Sequence, residues 1–293
     1  MKINYKTLKA VCLADITAFK KFGKVEQTPN GILIHSESSS KILGVAHLDT
    51  VLDSRKFQVI NHKGDNFVIN ESLDDRLGVY TLLFLLPSLG IDFDLLLTEG
   101  EETGQSTAQY FTPSKDYNWM FSFDRRGEDV VAYQYDDNEW MDTLSKSGFS
   151  PALGSFSDIA FLDHLGIKGV NIGTGYYGEH TKKSYAHIPT LIRQVKRFKK
   201  FYDVNKDTKF PHVEIAPVYN YRYSRYNWQD WGEYDNLYCY LCNKRTGKNQ
   251  VTSEIFLCDE CFNECEMCTA CEDIIYAHEA TDGICKNCLD YAN

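Results

Sequence analysis

Acidic and histidine residues recur at the ends of short apolar runs, and this placement is the strongest constraint on how the chain can fold. Such runs are typical of buried strands, and open α/β sheets bring their functional residues together at the carboxyl ends of parallel strands. The residues concerned are, in chain order, His47, Asp49, Asp74, Glu101, Glu102, Asp124 and His180. Imidazole and carboxylate groups in one crevice are what a two-metal hydrolytic site needs. We therefore predict an enzyme with its site at one edge of a sheet.

Apolar strand-like runs alternate with stretches of helical periodicity along the first two thirds of the chain. Residues 5–22, 75–86 and 188–202 have the helical pattern, with Pro87 ending the second of them. KILGVAHL, FDLLLTEG, NWMFSFD and KGVNIG have the pattern of strands, and KFQVINHKGDNFVIN that of a hairpin turning at residues 63–65. The alternation predicts an α/β fold, a three-layer sandwich with a mostly parallel central sheet.

The chain has room for one large domain and a small one. Its 293 residues are 43% hydrophobic, enough to bury a sizeable core. We predict a catalytic domain at residues 1–204, an aromatic-rich linker at 205–237 and a cysteine-rich module at 238–293. The linker is either a spacer or a segment that lies along the catalytic domain.

GVAHLDTV places His47 at the end of a buried strand, and Asp49 lies two residues further on. Alternate residues of a strand project to the same side, so this spacing suits a metal ligand and a carboxylate that orients it. A histidine that merely caps a strand end is the simpler alternative. The H-x-D pattern by itself does not decide between them.

LLLTEGEETG places Glu101 and Glu102 directly after another apolar strand. Adjacent glutamates there can divide two roles, one binding a metal and the other taking a proton from water. A solvated acidic loop is the alternative, just as N-capping of a helix is the alternative for Asp74. Asp124 follows the apolar FSF, and His180 lies in a loop rich in Gly and Tyr. The ordered succession of all these residues favours the metal site.

The ordered set resembles that of the co-catalytic metallo-exopeptidase clan, which contains aminopeptidases, carboxypeptidases and N-acyl amino-acid deacylases. The resemblance covers roughly residues 40–192. It includes SFSDIAFLDHLGIKGVNIGTGYYGEHT, which is similar to the S-D motif, the G-I-x-x-V-N-x-G strand and the final metal-histidine loop of that clan. The resemblance implies a zinc-exopeptidase-like fold and hydrolysis of a peptide or amide bond by a metal-bridging hydroxide.

The resemblance also implies a ligand set for two divalent metals. Asp74 would bridge both metals, one of which would take His47 and Asp124 and the other Glu102 and His180. Zn is the metal we expect, with Co or Mn as alternatives.

Further roles follow from the same resemblance. Glu101 would be the general base and Asp49 the residue that orients the first histidine ligand. We expect Tyr176 or Tyr177, and Asp158, to contact the substrate or to stabilise the oxyanion.

The spacing of the predicted ligands favours some activities of that clan over others. Only 27 positions separate His47 from Asp74, and 56 separate Asp124 from His180. Neither interval can hold the additional domain of about 100 residues that many clan members insert. We therefore predict an aminopeptidase, with an N-acyl amino-acid deacylase or a carboxypeptidase as alternatives. An inactive scaffold that binds a partner through its zinc module is the alternative from another class.

Arg125 and Arg126 directly follow the predicted ligand Asp124. They could bind a substrate carboxylate. Solvated surface arginines are the simpler interpretation.

The tail contains nine of the ten cysteines. Two four-cysteine patterns with paired C-x-x-C spacing predict two structural zinc sites, as in a double zinc ribbon. The predicted ligands are Cys239, Cys242, Cys258 and Cys261 for the first site and Cys268, Cys271, Cys285 and Cys288 for the second. In an alternative register, Cys265 replaces Cys271 and pairs with Cys268.

Charge and the absence of certain segments indicate location and partners. The formal net charge of the chain is -10, and residues 239–293 contain ten acidic and four basic residues. This balance disfavours nucleic acid and favours a protein partner for the tail, beside a peptide or acyl-amino-acid substrate. Paired cysteines without a signal peptide or a membrane-spanning run predict a cytoplasmic protein without a membrane partner.

Overall fold

The structure, a computed structural model, describes residues 1–52, 56–154 and 156–213 and parts of the C-terminal tail. The described parts of the tail are residues 237–238, 245–246, 249–250, 256–257, 259–267, 274–281 and 284–285. The chain divides into two units, Met1–Tyr221 and Arg222–Asn293. The domain limits at residues 204 and 238 stay predictions.

The strands of the first unit form two sheets. In chain order these strands are β1 (Lys24–Thr28), β2 (Gly31–Ser36), β3 (Ile42–His47), β4 (Gln58–His62), β5 (Asp65–Ile69), β6 (Asp94–Thr98), β7 (Trp119–Arg125), β8 (Val130–Val131), β9 (Pro151–Ala152), β10 (Gly169–Gly173), β11 (Tyr176–Tyr177) and β12 (Tyr185–His187). The large sheet has the order β1-β2-β6-β3-β7-β10-β8-β9, and β6, β3, β7 and β10 run parallel at its centre. The predicted α/β fold with a mostly parallel central sheet is confirmed.

The helices of the first unit match most of the predicted ones. The α-helices are α1 (Tyr5–Cys12), α2 (Leu73–Tyr80), α3 (Asn138–Lys146) and α4 (Ile188–Asn205). A π-helical turn, Thr81–Leu85, continues α2. The 3-10 helices are Ile16–Phe22, Pro87–Leu89, Thr107–Tyr110, Tyr133–Tyr135 and Asp158–Leu165. Among the described residues, no helix combines the length and the apolar character needed to cross a membrane.

Two local differences from the predicted helices have clear causes. The helix predicted over residues 5–22 is interrupted because the side chain of Asp15 accepts a hydrogen bond from the backbone N of Thr17 at 2.8 Å and starts a new 3-10 helix. Helix α3 was not predicted. The side chain of Asp137 caps it by accepting a hydrogen bond from the backbone N of Trp140 at 2.9 Å.

Side chains of β7 show how the two faces of the large sheet are covered. Phe123 contacts Phe198 of α4, with ring centroids 5.2 Å apart. The next residue, Asp124, receives a hydrogen bond from Ser157, which precedes the 3-10 helix Asp158–Leu165. Successive residues of a strand point to opposite faces, so α4 and this 3-10 helix lie on opposite sides of the sheet. The three-layer arrangement follows.

The second sheet has the order β11-β12-β5-β4 and is antiparallel throughout. Its β4–β5 hairpin turns at Lys63 and Gly64, whose φ angles are 52° and 93°. Two successive positive φ values are characteristic of the tight turns that match the twist of paired strands. The predicted hairpin is confirmed.

The described residues of the tail form short antiparallel strand pairs. These strands are β13 (Leu237–Tyr238), β14 (Arg245–Thr246), β15 (Asn249–Gln250), β16 (Phe256–Leu257), β17 (Cys265–Met267), β18 (Ile274–Tyr276), β19 (Ala280–Thr281) and β20 (Ile284–Cys285). The pairs are β13 with β14, β15 with β16, β17 with β18, and β19 with β20. Helix α5 (Asp259–Glu264) contains the buried Cys261. Six predicted zinc ligands lie outside the described residues, namely Cys239, Cys242, Cys258, Cys268, Cys271 and Cys288.

A buried carboxylate stands at the start of β6, at the end of the strand opposite to the predicted site. Asp94 accepts hydrogen bonds from the backbone N of Ser38 at 2.7 Å and from the Tyr117 hydroxyl at 2.8 Å, and lies 2.9 Å from the Lys115 Nζ. Burial by itself would raise the pKa of Asp94. Hydrogen bonds from His35, Ser38, Lys115 and Tyr117 outweigh it and lower the pKa to about 2.

We expect Asp94→Asn to destabilise the protein by about 2 kcal/mol near pH 6, because the depressed pKa favours the folded state above the unfolded pKa of about 4. That contribution is lost as the pH falls from about 4 to 2, so wild type and variant should converge there. Urea unfolding over a pH series measures the difference. A gap that stays constant from pH 6 to pH 2.5 would contradict the assignment.

Candidate active site

The large sheet brings two of the predicted ligands together at the carboxyl end of its parallel strands. His47 is the last residue of β3, and Asp124 is the last but one of β7. Val45 and Ser122, which precede them by two residues, pair with each other across the two strands. The His47 Nε2 lies 3.3 Å from the Asp124 Oδ1. Both side chains therefore occupy the same edge of the sheet.

The loop after β6 supplies the two glutamates. The Glu101 Oε2 lies 3.9 Å from the His47 Nε2, and the Glu102 Oε2 lies 2.9 Å from the His180 Nε2. The two neighbouring carboxylates thus reach two different histidines. Which of the two glutamates binds a metal and which takes a proton from water stays a prediction.

Asp74 lies between these two groups. Its Oδ1 is 4.0 Å from the His47 Nε2, and its Oδ2 is 3.1 Å from the His180 Nε2. The backbone of Asp74 is non-helical although the residue falls within α2. His180 lies in the β11–β12 loop with a φ of 59° and a half-exposed side chain. One carboxylate therefore spans the distance between the two histidines.

The charges of the cluster are poorly compensated by the protein alone. Burial, with the nearby Asp124, Asp158 and Glu102 charges, raises the pKa of Glu101 to about 9. Burial likewise raises the pKa of Asp74 to about 6. Such shifts arise where several carboxylates share one desolvated space.

The pKa of His180 is also raised, whereas that of Asp124 is lowered. Hydrogen bonds to Asp74 and Glu102 raise the pKa of His180 to about 10. Burial opposes ionisation of Asp124, but the hydrogen bond and charge of His47 lower its pKa. The surroundings therefore favour a positive charge among these side chains.

The donor set fits divalent metal ions. Ligand atoms of His47, Glu101 and Asp124 lie within 4.8 Å of one another, as do those of His47, Asp74 and Glu102. The Glu102 Oε1 is buried and has no hydrogen-bond partner among the described residues. Buried carboxylate oxygens without partners are costly, and a cation relieves that cost. Imidazole and carboxylate groups are ligands that Zn, Co and Mn accept.

Asp49 contacts His47 through its backbone more closely than through its side chain. The His47 Nδ1 lies 2.9 Å from the backbone O of Asp49 and 3.6 Å from its Oδ1. The Asp49 Oδ2 accepts a hydrogen bond from the backbone N of Glu102 at 3.1 Å. Asp49 thus connects the end of β3 with the loop that carries the glutamates.

The remaining predicted site residues take three different positions. Tyr176 is buried beside Asp74, and burial together with that carboxylate raises the pKa of its hydroxyl. Tyr177, the next residue of β11, stacks on Tyr185 with ring centroids 5.3 Å apart. Asp158 is buried and accepts hydrogen bonds from the hydroxyls of two neighbouring residues, Thr98 and Ser106. The structure therefore brings Tyr176 to the cluster and places Asp158 beneath the loop of the glutamates.

Asn171 supports Asp124 and was not predicted as a site residue. Its Oδ1 accepts hydrogen bonds from the backbone N of Asp124 at 3.0 Å and of Arg125 at 2.9 Å. Its Nδ2 donates to the Asp124 Oδ2 at 3.2 Å and to the Tyr133 hydroxyl at 3.0 Å. Its partners Asp124 and Tyr133 lie 47 and 38 positions away, so the sequence does not show that they meet. The only local signal was an asparagine inside an apolar strand.

Arg125 and Arg126 are both paired with acidic side chains. The Arg125 Nε lies 2.9 Å from the Asp129 Oδ1, and the Arg126 Nη1 lies 2.5 Å from the Glu179 Oε1. The second pair connects the segment after β7 with the loop of His180. Their binding of a substrate carboxylate stays the less favoured of the two interpretations.

The chain has the fold of known peptidases. It is similar to an aminopeptidase PepT from Bacillus cereus with 11% sequence identity and a TM-score of 0.51, over 68% of this chain and 98% of that one. It is also similar to a tripeptidase from Staphylococcus aureus with 12% identity and a TM-score of 0.51, over 69% of this chain and 98% of that one. No family model and no curated protein matches its sequence. At these identities the likeness establishes the fold.

We expect Asn171→Asp to destabilise the protein by about 3 kcal/mol, because it replaces a buried donor to Asp124 with a second negative charge. The midpoint of urea unfolding at neutral pH measures this. Ser122→Ala is the matched control, since the buried Ser122 hydroxyl of the adjacent strand residue has no hydrogen-bond partner among the described residues. Removal of such a group should be nearly neutral. Equal effects of both changes would contradict a supporting role of Asn171.

Proposed function

We propose that the first unit is a metal-dependent hydrolase of peptide or amide bonds that uses two divalent metals, and that it acts as an aminopeptidase. His47 and Asp124 would hold one metal and Glu102 and His180 the other, with Asp74 between them. The observation that carries this proposal is the position of Asp74, whose two carboxylate oxygens face different histidines. A carboxylate so placed is suited to join two cations. The likeness to the peptidase folds and to the clan's ordered motif supports the same proposal.

The chemistry divides between the metals and the protein. When bound, two divalent ions would polarise the scissile carbonyl and make a hydroxide nucleophile available near neutral pH. Glu101 would take a proton from the attacking water as a general base and deliver it to the leaving amine as a general acid. Its carboxylate lies close to His47 and is largely shielded from solvent.

Two further residues would prepare the site for this reaction. The backbone O of Asp49 accepts the Nδ1 proton of His47 and leaves the Nε2 lone pair for a metal. The buried Tyr176 hydroxyl lies next to Asp74 and would donate a hydrogen bond to the developing oxyanion. The half-exposed His180 marks the side from which a substrate would enter.

The compact ligand spacing supports an aminopeptidase within this class. The interval between His47 and Asp74 contains the β4–β5 hairpin. The interval between Asp124 and His180 contains α3, two 3-10 helices and the four strands β8 to β11. Neither interval contains a separate lid domain within its described residues. A free amino-terminal residue of a peptide is the substrate we expect.

The tail is proposed to bind two structural zinc ions through its paired cysteines. The buried position of Cys261 in α5 supports a role inside that unit. The ten acidic residues of the tail favour a protein partner. A cytoplasmic location, in which such thiols stay reduced, belongs to the same proposal.

Metal analysis tests the proposal directly. We expect about four metals per chain in the purified full-length protein, two in each unit. His47→Ala and His180→Ala should each lose one or two of them and all turnover. About two metals, unchanged in both variants and without turnover, would instead support a scaffold whose only metals are those of the tail.

Glu101→Gln should lower kcat at least about 10³-fold and keep the full metal content, because it removes a base rather than a ligand. Glu139→Gln, at an exposed position of α3, is the matched control and should retain activity. Hydrolysis is followed on a panel of aminoacyl amides, peptides with free carboxyl termini and N-acyl amino acids. Preference for a free amino terminus supports the aminopeptidase. Preference for either other group would replace it with a carboxypeptidase or a deacylase, and metal loss in Glu101→Gln would make Glu101 a ligand.

A further inference from the structure

The segment that carries both glutamates is a tight turn. We call residues 99–106, between β6 and the 3-10 helix Thr107–Tyr110, the glutamate loop. The backbone N of Gly104 donates to the O of Glu101, and that of Gln105 to the O of Gly100, each at 2.8 Å. Gly100 has a φ of 80°, and a Cβ there would lie 2.7 Å from the backbone O of Gln105. Only glycine permits this close closure of the turn.

Both ends of the glutamate loop are tied to one carboxylate from a distant part of the chain. The Asp158 Oδ2 accepts a hydrogen bond from the hydroxyl of Thr98, the residue before the loop, at 2.7 Å. The Asp158 Oδ1 accepts a hydrogen bond from the hydroxyl of Ser106, the last residue of the loop. Asp158 is only 2% exposed. Water therefore offers little competition for these two contacts.

We propose that Asp158 is a positioning residue, which holds the two ends of the glutamate loop in place and so fixes Glu101 and Glu102 against the two histidines. This rests on the proposed function, in which those glutamates serve as base and ligand. A short loop with fixed ends has few conformations left to lose when a metal or substrate binds. Asp49 also holds this loop, because its side chain accepts a hydrogen bond from the backbone N of Glu102.

Asp158 could act through its two hydrogen bonds or through its negative charge, and the directions of the hydrogen bonds allow the two effects to be separated. The Ser106 oxygen accepts a hydrogen bond from the backbone N of Ala108 at 3.0 Å, and its hydroxyl donates to the Asp158 carboxylate. The Thr98 oxygen lies 3.2 Å from the backbone O of Ala46, to which it can donate instead. An asparagine at position 158 could thus accept from Ser106 and donate to Thr98. It would keep both tethers without the negative charge.

The conservative variant Asp158→Asn is therefore expected to behave almost like wild type, whereas Asp158→Ala loses both tethers and Ser106→Ala loses one. Full-length holoprotein is dialysed against graded EDTA, and the metal retained per chain is compared with that of a His47→Ala/His180→Ala reference. The reference subtracts metal held by the tail. We expect metal affinity of the site to fall about 10-fold or more in Asp158→Ala and Ser106→Ala, and to change less than about threefold in Asp158→Asn.

Kinetics give a second readout that a loss of stability alone would not move. With the best substrate of the panel, kcat should fall up to about 100-fold in Asp158→Ala, with KM changed little, because the tethers act on the reacting groups. Asp94→Asn is the control for stability. It alters a buried carboxylate with hydroxyl and lysine partners at the opposite end of β6, and should keep both metal and kcat. If Asp158→Ala does not fold, Ser106→Ala carries the comparison.

The outcomes separate this inference from the function on which it rests. Loss of metal and kcat in Asp158→Asn as large as in Asp158→Ala would overturn the tether and assign the effect to the charge. Wild-type values in Asp158→Ala and Ser106→Ala would overturn it as well. Wild-type protein that retains no more metal than the double-histidine reference would overturn the proposed function itself, before any change at Asp158 is considered.

Discussion

Mutual repulsion among four carboxylates in one desolvated space is the constraint on which the site depends. Asp74, Glu101, Glu102 and Asp124 meet around two imidazoles. Hydrogen bonds to Asp74 and Glu102 raise the pKa of one of these, His180, to about 10. Without a cation, protons must neutralise the cluster. Divalent ions would replace those protons. The negative charges, which oppose folding in the absence of a cation, would then stabilise the folded, metal-bound protein.

Three parts of the site are held by neighbouring groups. Asn171 of β10 fixes Asp124, the backbone O of Asp49 orients His47, and Asp158 ties the loop of the glutamates. These partners are mostly neutral groups or backbone atoms. They restrict the geometry of the site without adding much to its charge. The parallel strands form the base of the site, and aromatic rings pack one of them, β7, against α4.

Local patterns in the sequence predicted the strand ends, because apolar runs that stop at a histidine or a carboxylate are visible without any tertiary information. His47, Asp124 and the two glutamates were found in this way, as was the turn at Lys63. The hydrogen-bond partners that hold these residues could not be found from local patterns. Asn171 and Asp158 reach across 47 and 60 positions, and the choice between Tyr176 and Tyr177 depends on strand register. The predicted ligands of the tail lie mainly outside the described residues.

His180 belongs to a different sheet from the other histidine. It lies in the β11–β12 loop of the small antiparallel sheet, whereas His47, Asp124 and the glutamates stand on the large one. A metal held between them would be a cross-link between the two sheets. Thermodynamic linkage then requires that metal binding protect the small sheet against local opening and that opening release the metal. The small sheet would act as a reporter of metal supply, with its amide exchange rates rising as the free metal concentration falls.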